Sequence, residues 1–386
     1  MRLTCSSCTG ETGGRTEDGP NEWLCLRCGG GLTPHLDDFR SWSDAITDVP
    51  GVGRYTSLLP VAEPEDLRSS EAALSPVESP RMAELLGVAS FRFLPQSRNE
   101  TGTFKDNEGV LLAAKCKEWE LPSVCLHSSG NTVRAYQYYM ERAGIVCTGF
   151  VPQASAYKCP TTAMGKSSVV PVPGNMADAA AAAIAHSKED GALRLTPSQW
   201  KIEGKVPLGL ALAERCADAT RIAVTIASGY GPLGIERGIL RARSAGLASV
   251  GDHSFELFQA EDAGLMASAL RDGNEEIDLD DMVPPEIAFE PTLQSTNPNR
   301  TLPLVRQLVT KTGSRVAAVS SGAVEAEAGL LSEACEELDI PLDYATEKSA
   351  YICWAGLRQA ALSGGLAASD RIVMIVSGSA PHDRLP

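Results

Sequence analysis

Residues Ser97–Gly109 read SRNETGTFKDNEG and place one lysine, Lys105, between an aromatic residue and an aspartate. The preceding ASFRFLP is strand-like, and the following NEGVLLAAKCKEW has helical periodicity. Lys105 is therefore predicted at a strand-to-helix junction, where helix dipoles disfavour its ammonium and burial lowers its pKa. A neutral lysine amine attacks carbonyls and forms Schiff bases. The alternative is an ordinary solvated surface lysine.

The segments beyond this stretch alternate between apolar, strand-like runs and runs with helical periodicity. SVCLHS, IVCTGFV and SVVPVP are strand-like, and they are followed by NTVRAYQYYMERAG, SAYKCPTTAMG and NMADAAAAAIAHSKEDG. RIAVTIASG, RVAAVSSG and RIVMIVSGS continue the series toward the C-terminus. This alternation predicts parallel sheets with crossover helices, arranged in two α/β halves.

Three turns at predicted strand ends carry groups suited to ligands, because open parallel sheets bind ligands at the carboxyl ends of their strands. HSSGNT offers hydroxyls, an amide and backbone N–H groups to a carboxylate, although serine and asparagine are also common helix caps. SGYGPLG, residues 228–234, matches G-x-G-x-x-G and predicts a phosphate loop. A dinucleotide site is the alternative, but its fingerprint expects an earlier loop and a better-placed acidic residue than Asp252. VSGSAPHD presents Ser377 and Ser379.

Four of the eleven cysteines are spaced for a metal ion. Cys5 and Cys8 form one C-x-x-C pair, and Cys25 and Cys28 form a second, with sixteen residues between the pairs. Two such pairs predict a structural zinc ribbon with four thiolate ligands. A redox-active dithiol and unligated thiols are the alternatives. The remaining seven are predicted as small core residues: Cys116, Cys125, Cys147, Cys159, Cys216, Cys335 and Cys353.

Composition and charge exclude several function classes. The chain of 386 residues is 43% hydrophobic, which is typical of a globular enzyme with two or three domains. Its net charge of −15 disfavours nucleic-acid and acidic-membrane partners. The N-terminus MRLTCSSCTG has no apolar core for a signal peptide, and the apolar runs are too short to span a bilayer. We therefore expect a cytoplasmic protein that acts on a small molecule.

The ordered motifs resemble those of the threonine synthase family, fold-type II pyridoxal phosphate (PLP) enzymes of the tryptophan synthase beta-like superfamily. NETGTFKD resembles N-P-T-G-S-F-K-D, SSGNT the asparagine loop, KSAYICWAGL the S-A-a-x-x-A-G-L segment, and SGSAPHD the terminal T-G-x-G-x-K-D. FEPT, Phe289–Thr292, stands where many relatives have a Pro-Thr segment. The resemblance implies an α/β fold with two open, twisted, mostly parallel domains, the cofactor between them, and an N-terminal zinc ribbon.

The same resemblance implies domain boundaries and assembly. Residues 1–32 would form the ribbon, residues 33–90 and 206–386 the large PLP domain, and residues 91–205 the small domain that carries Lys105. A homodimer is the expected assembly, by resemblance only.

The resemblance also implies roles for individual residues. Lys105 would be the Schiff-base lysine and the base that moves protons at the substrate's α and γ carbons. Asn131 would bond the pyridoxal 3′-oxygen, and Ser377 would face the ring nitrogen. A serine there cannot keep that nitrogen protonated as an aspartate would, so elimination is favoured over transamination. The implied cofactor-binding residues are Lys105, Asn131, Ser228, Gly229, Tyr230, Gly231, Leu233 and Ser377. Those implied for the amino-acid carboxylate are Ser128, Ser129 and Thr132.

Departures from the family pattern concern the substrate. Glu100 replaces a proline, Asn107 replaces a frequent arginine, and SQWKIEG replaces N-P-x-R-x-E-G, so that Lys201 stands at the arginine position. A phosphorylated leaving group needs cationic or hydroxyl partners. The candidates are Thr103, Lys158, Lys201 and Lys205. Solvated helix faces for the lysines, and turn geometry for Thr103, are the alternatives.

The predicted function is elimination of phosphate from an O-phospho amino acid followed by addition of a nucleophile. The first expectation is conversion of O-phosphohomoserine and water to threonine and phosphate. β-Replacement on O-phosphoserine, as in cysteate synthases or specialised amino-acid biosynthesis, is the alternative, and threonine or serine dehydration is a further one. A non-enzymatic binding relative is disfavoured because Lys105 and Asn131 are both present.

Overall fold

The computed structural model describes residues 2–5, 11–13, 32–34, 41–61, 64–159, 165–195, 199–247, 251–281, 283, 287–293, 295 and 297–379. The strands are β1 Arg2–Cys5, β2 Glu11–Gly13, β3 Leu32–Pro34, β4 Val77–Glu78, β5 Ser90–Pro95, β6 Ser123–His127, β7 Val146–Pro152, β8 Ser168–Val172, β9 Leu193–Arg194, β10 Arg221–Thr225, β11 Ser254–Ala260, β12 Arg315–Val319 and β13 Arg371–Val376. The α-helices are α1 Trp42–Ala45, α2 Pro80–Leu86, α3 Asp106–Glu118, α4 Asn131–Arg142, α5 Met176–Asp190, α6 Gln199–Glu203, α7 Val206–Arg215, α8 Tyr230–Ser244, α9 Leu265–Asp272, α10 Leu302–Thr312, α11 Ser321–Glu337 and α12 Ser349–Leu362.

Two compact units are distinguished by their internal packing. The first unit comprises residues 1–71, 105–210 and 234–248, and the second comprises residues 72–104, 211–233 and 249–386. The domain boundaries expected from the sequence stay predictions, since compact packing does not test whether a segment is a domain.

The second unit contains a six-stranded sheet in the order β12-β11-β10-β13-β5-β4. All its pairings are parallel except β4 with β5. RIVMIV in β13 is apolar without alternation, because a central parallel strand is covered on both faces. Helix α12 packs on β10 and β11, and a Cβ on Gly356 would lie 2.2 Å from the Phe258 ring. The glycine therefore allows close approach of helix and sheet.

The first unit contains a four-stranded parallel sheet in the order β8-β7-β6-β9. Helix α4 packs on β7, where a Cβ on Gly149 would lie 2.2 Å from Val133. The alanine-rich α5 packs on β6 and β7. Pro171 is exposed on β8, an edge strand, where the missing N–H costs no ladder bond. The predicted α/β fold with mostly parallel sheets is thereby confirmed.

One predicted helix takes a different form. SAYKCPTTAMG was expected to be helical, but its described part forms a 3₁₀ helix, Gln153–Lys158. Pro152 precedes this segment and Pro160 follows Cys159, and a proline disfavours α-helical geometry in the residue before it.

The predicted zinc ligands Cys8, Cys25 and Cys28 lie outside the described residues, and of Cys5 only the backbone is described, at the end of β1. Strands β1–β3 form a small antiparallel sheet in the order β2-β1-β3. Within the described part of the chain, no group of three His, Cys, Asp or Glu side chains could hold a metal ion. The zinc ribbon stays a prediction.

The seven other cysteines are buried free thiols, as expected for core residues. None of the helices in the described ranges combines the length and apolar character needed to cross a membrane.

Candidate functional site

Lys105 directly precedes helix α3 in the first unit. Its carbonyl accepts hydrogen bonds from the backbone N–H of Glu108 and Gly109, at 3.1 and 2.8 Å, which begins the helix. A 3₁₀ turn, Gln96–Arg98, and the TGT segment separate β5 from α3. The Lys105 side chain is 23% exposed, and its Nζ lies 4.0 Å from Glu108 Oε2. The amine is therefore accessible yet close to a buried carboxylate.

Glu108 is the centre of a buried charged cluster that the sequence analysis missed. Lys205 Nζ donates to Oε2 at 2.9 Å, Lys201 Nζ lies 3.3 Å from Oε1, and the Tyr136 hydroxyl also donates to Oε1. Burial acts to raise the pKa of Glu108, but the three lysines and Tyr136 hold it well below its ordinary value. Glu108 therefore stays ionised, and Lys105 and Lys201 lie near the same carboxylate.

Three of the four candidate phosphate partners, Thr103, Lys158 and Lys205, are almost fully buried and poorly placed for a ligand. Lys205 has 0% side-chain exposure, and burial lowers its pKa although Glu108 acts to raise it. Thr103, in the second unit, is fully buried and donates to the Ser377 carbonyl at 3.3 Å. The Lys201 side chain is 19% exposed. Lys158 is 1% exposed but contacts the predicted carboxylate loop.

That loop, Ser128–Asn131, joins β6 to helix α4. Ser128 Oγ accepts hydrogen bonds from the N–H of Gly130 at 3.1 Å and Val133 at 3.2 Å, so it caps the helix. These bonds do not use the hydroxyl proton, which is what a carboxylate would accept. Ser129 and Asn131 are partly exposed, and Thr132 is buried at 7%.

The same loop packs on the 3₁₀ segment that contains Lys158. Gly130 has φ +121°, and a Cβ there would lie 2.8 Å from Lys158 Cβ. Arg134, fully buried, donates to the Lys158 carbonyl at 3.1 Å. Glycine is therefore required at position 130 both by backbone conformation and by close contact.

His127 ends β6, directly before the loop. Burial, with the nearby positive charges of Lys201 and Arg194, lowers its pKa to about 4. Its Nδ1 is buried and has no hydrogen-bond partner among the described residues. His127 is thus neutral at pH 7. It lies near Lys201, so the Ser128–Asn131 loop begins close to the charged cluster around Glu108.

In the second unit, the glycine-rich segment Ser228–Leu233 follows β10 and includes the first residues of helix α8, which begins at Tyr230. Gly229 has φ +77°, and a Cβ there would lie 2.5 Å from Val305 Cγ2. The Thr301 hydroxyl donates to the Ser228 carbonyl and fixes the start of the loop. Tyr230 begins α8, and the first N–H groups of a helix point outward and favour an anion, although Pro232 contributes none.

Ser377 follows β13, also in the second unit, and is 5% exposed. Its hydroxyl donates to the hydroxyl of Ser349, the first residue of α12, at 2.8 Å. The backbone N–H of Phe104 donates to the Ser377 carbonyl at 2.9 Å. Glu290, in the FEPT segment, accepts from Thr292 and from the N–H of Lys348, which tethers that segment to the start of α12.

Comparison with known proteins finds similarity that includes residues of both units. Residues 71–378 match the family "Pyridoxal-phosphate dependent enzyme". The threonine synthase of Methanosarcina acetivorans is 28% identical over 200 residues, which cover 50% of this chain and 49% of that protein. The chain therefore spans about half the length of this relative. The cysteate synthase of Methanospirillum hungatei is 24% identical over 406 residues, covering 97% of this chain and 89% of that protein.

A solved structure shows the fold independently. Maize serine racemase has a TM-score of 0.61 and 20% identity, covering 84% of this chain and 96% of that chain. At this identity the likeness concerns the fold alone. With the family match, it confirms the predicted resemblance to fold-type II PLP enzymes.

The described residues fit the cofactor that the family name gives. Gly229, with φ +77°, turns the chain directly before a helix of 15 residues, and the first N–H groups of a helix favour an anion. Lys105 supplies a partly exposed amine, and Ser377 supplies a hydroxyl at a strand end. PLP requires an amine for its aldehyde, hydrogen-bond donors for its phosphate and a partner for its ring nitrogen, and these groups suit the three roles.

Proposed function

Since the chain belongs to the pyridoxal-phosphate dependent enzyme family, matched over residues 71–378, we propose that it eliminates phosphate from an O-phospho amino acid and adds a nucleophile. The proposed reaction, threonine synthase-like, converts O-phosphohomoserine and water to threonine and phosphate. The observation that carries the proposal is the position of Lys201, a second partly exposed ammonium near the carboxylate of Glu108, which also lies near Lys105.

The cofactor would be held by residues of the sequence motifs. Lys105 would be the attachment point, the amides of Gly229–Leu233 would bind the phosphate, and Ser377 would face the ring nitrogen. Asn131 would bond the 3′-oxygen. When bound, PLP withdraws electrons from the substrate α-carbon, which makes loss of a proton and of a leaving group feasible.

The substrate would be oriented by three groups in the first unit. Ser128, Ser129 and Thr132 would donate hydrogen bonds to its carboxylate, and this assignment is supported because both bonds of Ser128 Oγ within the described residues are accepted ones, which do not use its proton. Lys201 binds the phosphate that leaves, because a positive charge stabilises the negative charge that develops there. Once the substrate's amino group has released it from the cofactor, Lys105 Nζ would take the proton from the α-carbon and would then move protons at the β- and γ-carbons.

Lys201 suits a phosphate better than the other lysines do. Lys205 is fully buried and donates to Glu108, and Lys158 is 1% exposed. Lys201 stands at the position of an arginine in the resembling motif, and an ammonium binds phosphate as a point charge. We therefore assign leaving-group binding to Lys201 and the support of the carboxylate loop to Lys158.

β-Replacement on O-phosphoserine is the second candidate function. The similarity to a cysteate synthase over 97% of the chain favours it. The same residues would act, with a substrate one carbon shorter and a nucleophile other than water.

The experiment separates these functions by their products. The purified PLP-loaded protein is incubated with O-phosphohomoserine, with O-phosphoserine plus sulfite, and with threonine or serine, and products are identified by mass spectrometry. Threonine and phosphate support the first function, and cysteate supports the second. Keto acids from the unphosphorylated substrates alone would contradict both.

A pair of variants tests the anion partner. Lys201→Met should raise KM for the phosphorylated substrate or lower kcat by about a hundredfold, the typical effect of one charged transition-state contact. Lys188→Met, an exposed lysine of α5, is the matched control and should leave the rate unchanged. An unchanged rate in Lys201→Met would remove Lys201 from the proposal.

A further inference from the structure

Glu108 lies one helical turn after Lys105 and has a side chain that is 1% exposed. Tyr136 and Lys201 lie on its Oε1, and Lys205 and Lys105 lie on its Oε2. One buried carboxylate therefore has three ammonium groups within 4.0 Å. A buried charge is costly unless it is paired, so this one carboxylate stabilises the charges of three lysines.

Local packing makes the arrangement specific. Lys201 and Lys205 are four residues apart, and Gly204 lies between them. A Cβ on Gly204 would lie 2.5 Å from Glu108 Cα, so only glycine lets this segment approach helix α3 so closely. A Cβ on Gly234 would similarly lie 2.4 Å from Lys205 Cβ. Close backbone packing at Gly204 and Gly234 thus keeps Lys201 and Lys205 next to the Glu108 carboxylate.

The charges around Lys105 determine whether the loss of the Glu108 charge would raise or lower the pKa of Lys105. The titratable groups that interact with this cluster include Asp106 from α3, Tyr136 from α4, His127 from β6, and Lys201 and Lys205. Cys116 and Cys147 act on Tyr136, and Arg194 acts on His127. Glu108 offsets the mutual repulsion of the three ammonium groups. Without its charge, Lys201 and Lys205 would act on Lys105 as repulsive neighbours, and its amine would lose its proton more readily.

We infer that Glu108 is a positioning residue that sets the protonation of Lys105 and holds Lys201 beside it. The inference rests on the proposed function in assigning Lys105 as the amine that moves protons. Glu108 itself contacts neither substrate nor cofactor in this assignment. Glu108 acts through two lysines. It affects the charge of the Lys105 amine and the position of Lys201, the proposed partner of the leaving phosphate.

The test measures the titration of Lys105 directly. In the full-length chain without cofactor, lysines are reductively methylated with ¹³C-formaldehyde and their pKa values are read by NMR. The Lys105 resonance is assigned by its loss in Lys105→Arg. Glu108→Gln should lower the pKa of Lys105 by about one unit or more, a tenfold change in the ratio of ammonium to amine.

The chain offers a matched control on the same helix. Glu118 pairs with Lys115 at the same three-residue spacing, and Glu118→Gln should leave the pKa of Lys105 unchanged. Glu108→Asp keeps the charge and should restore most of the wild-type pKa. In the PLP-loaded protein, the pH dependence of the visible absorbance should shift in Glu108→Gln and not in Glu118→Gln.

Glu108→Gln leaves Lys205 buried without its carboxylate and can therefore destabilise the fold. A second comparison separates this loss of stability from the effect on Lys105. Glu108→Gln/Lys205→Met is compared with Lys205→Met, and the double variant should again show the lower Lys105 pKa. A Lys105 titration that is unchanged in both comparisons would overturn the inference, even if stability falls. The NMR titration needs no catalysis, so failure of the proposed reaction is distinguished from failure of this inference.

Discussion

The Ser377 hydroxyl donates to the Ser349 hydroxyl at 2.8 Å, joining the end of β13 to the first residue of α12. A hydroxyl has one proton and can turn to suit its partner. While the Ser377 hydroxyl donates to Ser349, it can only accept a hydrogen bond from a third group. If the Ser349 hydroxyl turns and donates to Ser377 instead, the Ser377 proton can be donated to that third group. If Ser377 faces the pyridine nitrogen, as proposed, its hydroxyl could donate to a neutral nitrogen but would not supply the negative charge that keeps that nitrogen protonated.

We expect Ser377→Asp to lower the elimination rate and to raise abortive transamination. A carboxylate at this place would favour the protonated ring, which is a deeper electron sink. Loss of one well-placed interaction costs about 2–4 kcal/mol, on the order of a hundredfold or more in rate. Rates of phosphate release and keto-acid formation, measured together, check this prediction.

Ser377→Thr is the control, because it keeps the hydroxyl and should stay active. Tolerance of Asp together with loss of activity in Thr would show that another residue faces the ring.

Much of the fold followed from sequence periodicity, and the reasons are physical. β10 and β13 are continuous apolar runs because parallel strands are covered on both faces, and α8 begins at the glycine-rich turn where its dipole end suits an anion. The capping alternative for Ser128 was also recognisable from sequence, and its hydroxyl does cap α4.

Glu108 was missed because a charged residue in a helix is ordinarily read as solvent-facing. Residues Asp106–Cys116 are all buried, so helix α3 has no polar face to reveal which charges are internal. Lys205 is 97 positions away in sequence, and only the fold brings it to Glu108. Two features of the sequence could have indicated the cluster. Glu108 follows Lys105 by three residues, which places both on one face of a helix, and Lys201 and Lys205 are four residues apart.

Gly130→Ala should destabilise the protein and weaken substrate binding together. The backbone at φ +121° disfavours a side chain, at a cost of about 1–3 kcal/mol, and the new Cβ would lie 2.8 Å from Lys158 Cβ. Relief of that contact should displace the Ser128–Asn131 loop. We expect a lower unfolding midpoint in urea and a KM raised about tenfold or more, the effect of losing roughly 1.4 kcal/mol of binding.

Gly144→Ala is the matched control for this change. Gly144 has φ +76°, but a Cβ there meets nothing within 4 Å. The variant should lose stability by about 1–2 kcal/mol from backbone strain and keep the wild-type KM. Equal KM values in the two variants would contradict a role for the contact between Gly130 and Lys158.

His127 should make stability depend on pH in the weakly acidic range. Its pKa is about 4 in the folded chain against an ordinary value of 6.5. Between these values the unfolded chain binds the extra proton, so stability falls as pH falls from about 6.5 toward 4. The half-buried ring should contribute a loss on the order of 2 kcal/mol.

Urea unfolding from pH 7 to 5 checks this, with His127→Gln beside the wild type. The part of the pH dependence that belongs to His127 should disappear in the variant. An identical pH dependence in both proteins would show that His127 titrates normally in the folded state.

Glu203 is a second buried carboxylate of the first unit, and its charge should stabilise the fold. It is 0% exposed, and Arg241 donates to both of its oxygens, at 2.8 and 3.1 Å, while Arg237 donates to Oε1. Glu203→Gln removes the charge that two arginines face, and breaking such a buried pair costs about 3–5 kcal/mol. Asp272→Asn, which breaks an exposed pair with Arg271, should leave the unfolding midpoint unchanged.

The effect of Glu203→Gln should also depend on pH in a defined direction. Burial acts to raise the pKa of Glu203, but Arg241 and Arg237 outweigh it and hold the pKa below its ordinary value of 4.5. A carboxylate with a lowered pKa in the folded state stabilises the protein above 4.5, and that contribution is lost as pH falls through the folded pKa. The difference in unfolding free energy between wild type and Glu203→Gln should therefore be constant from pH 7 to about 5.5 and narrow below 4.5. A difference that widens in acid would mean that the two arginines do not hold Glu203 ionised.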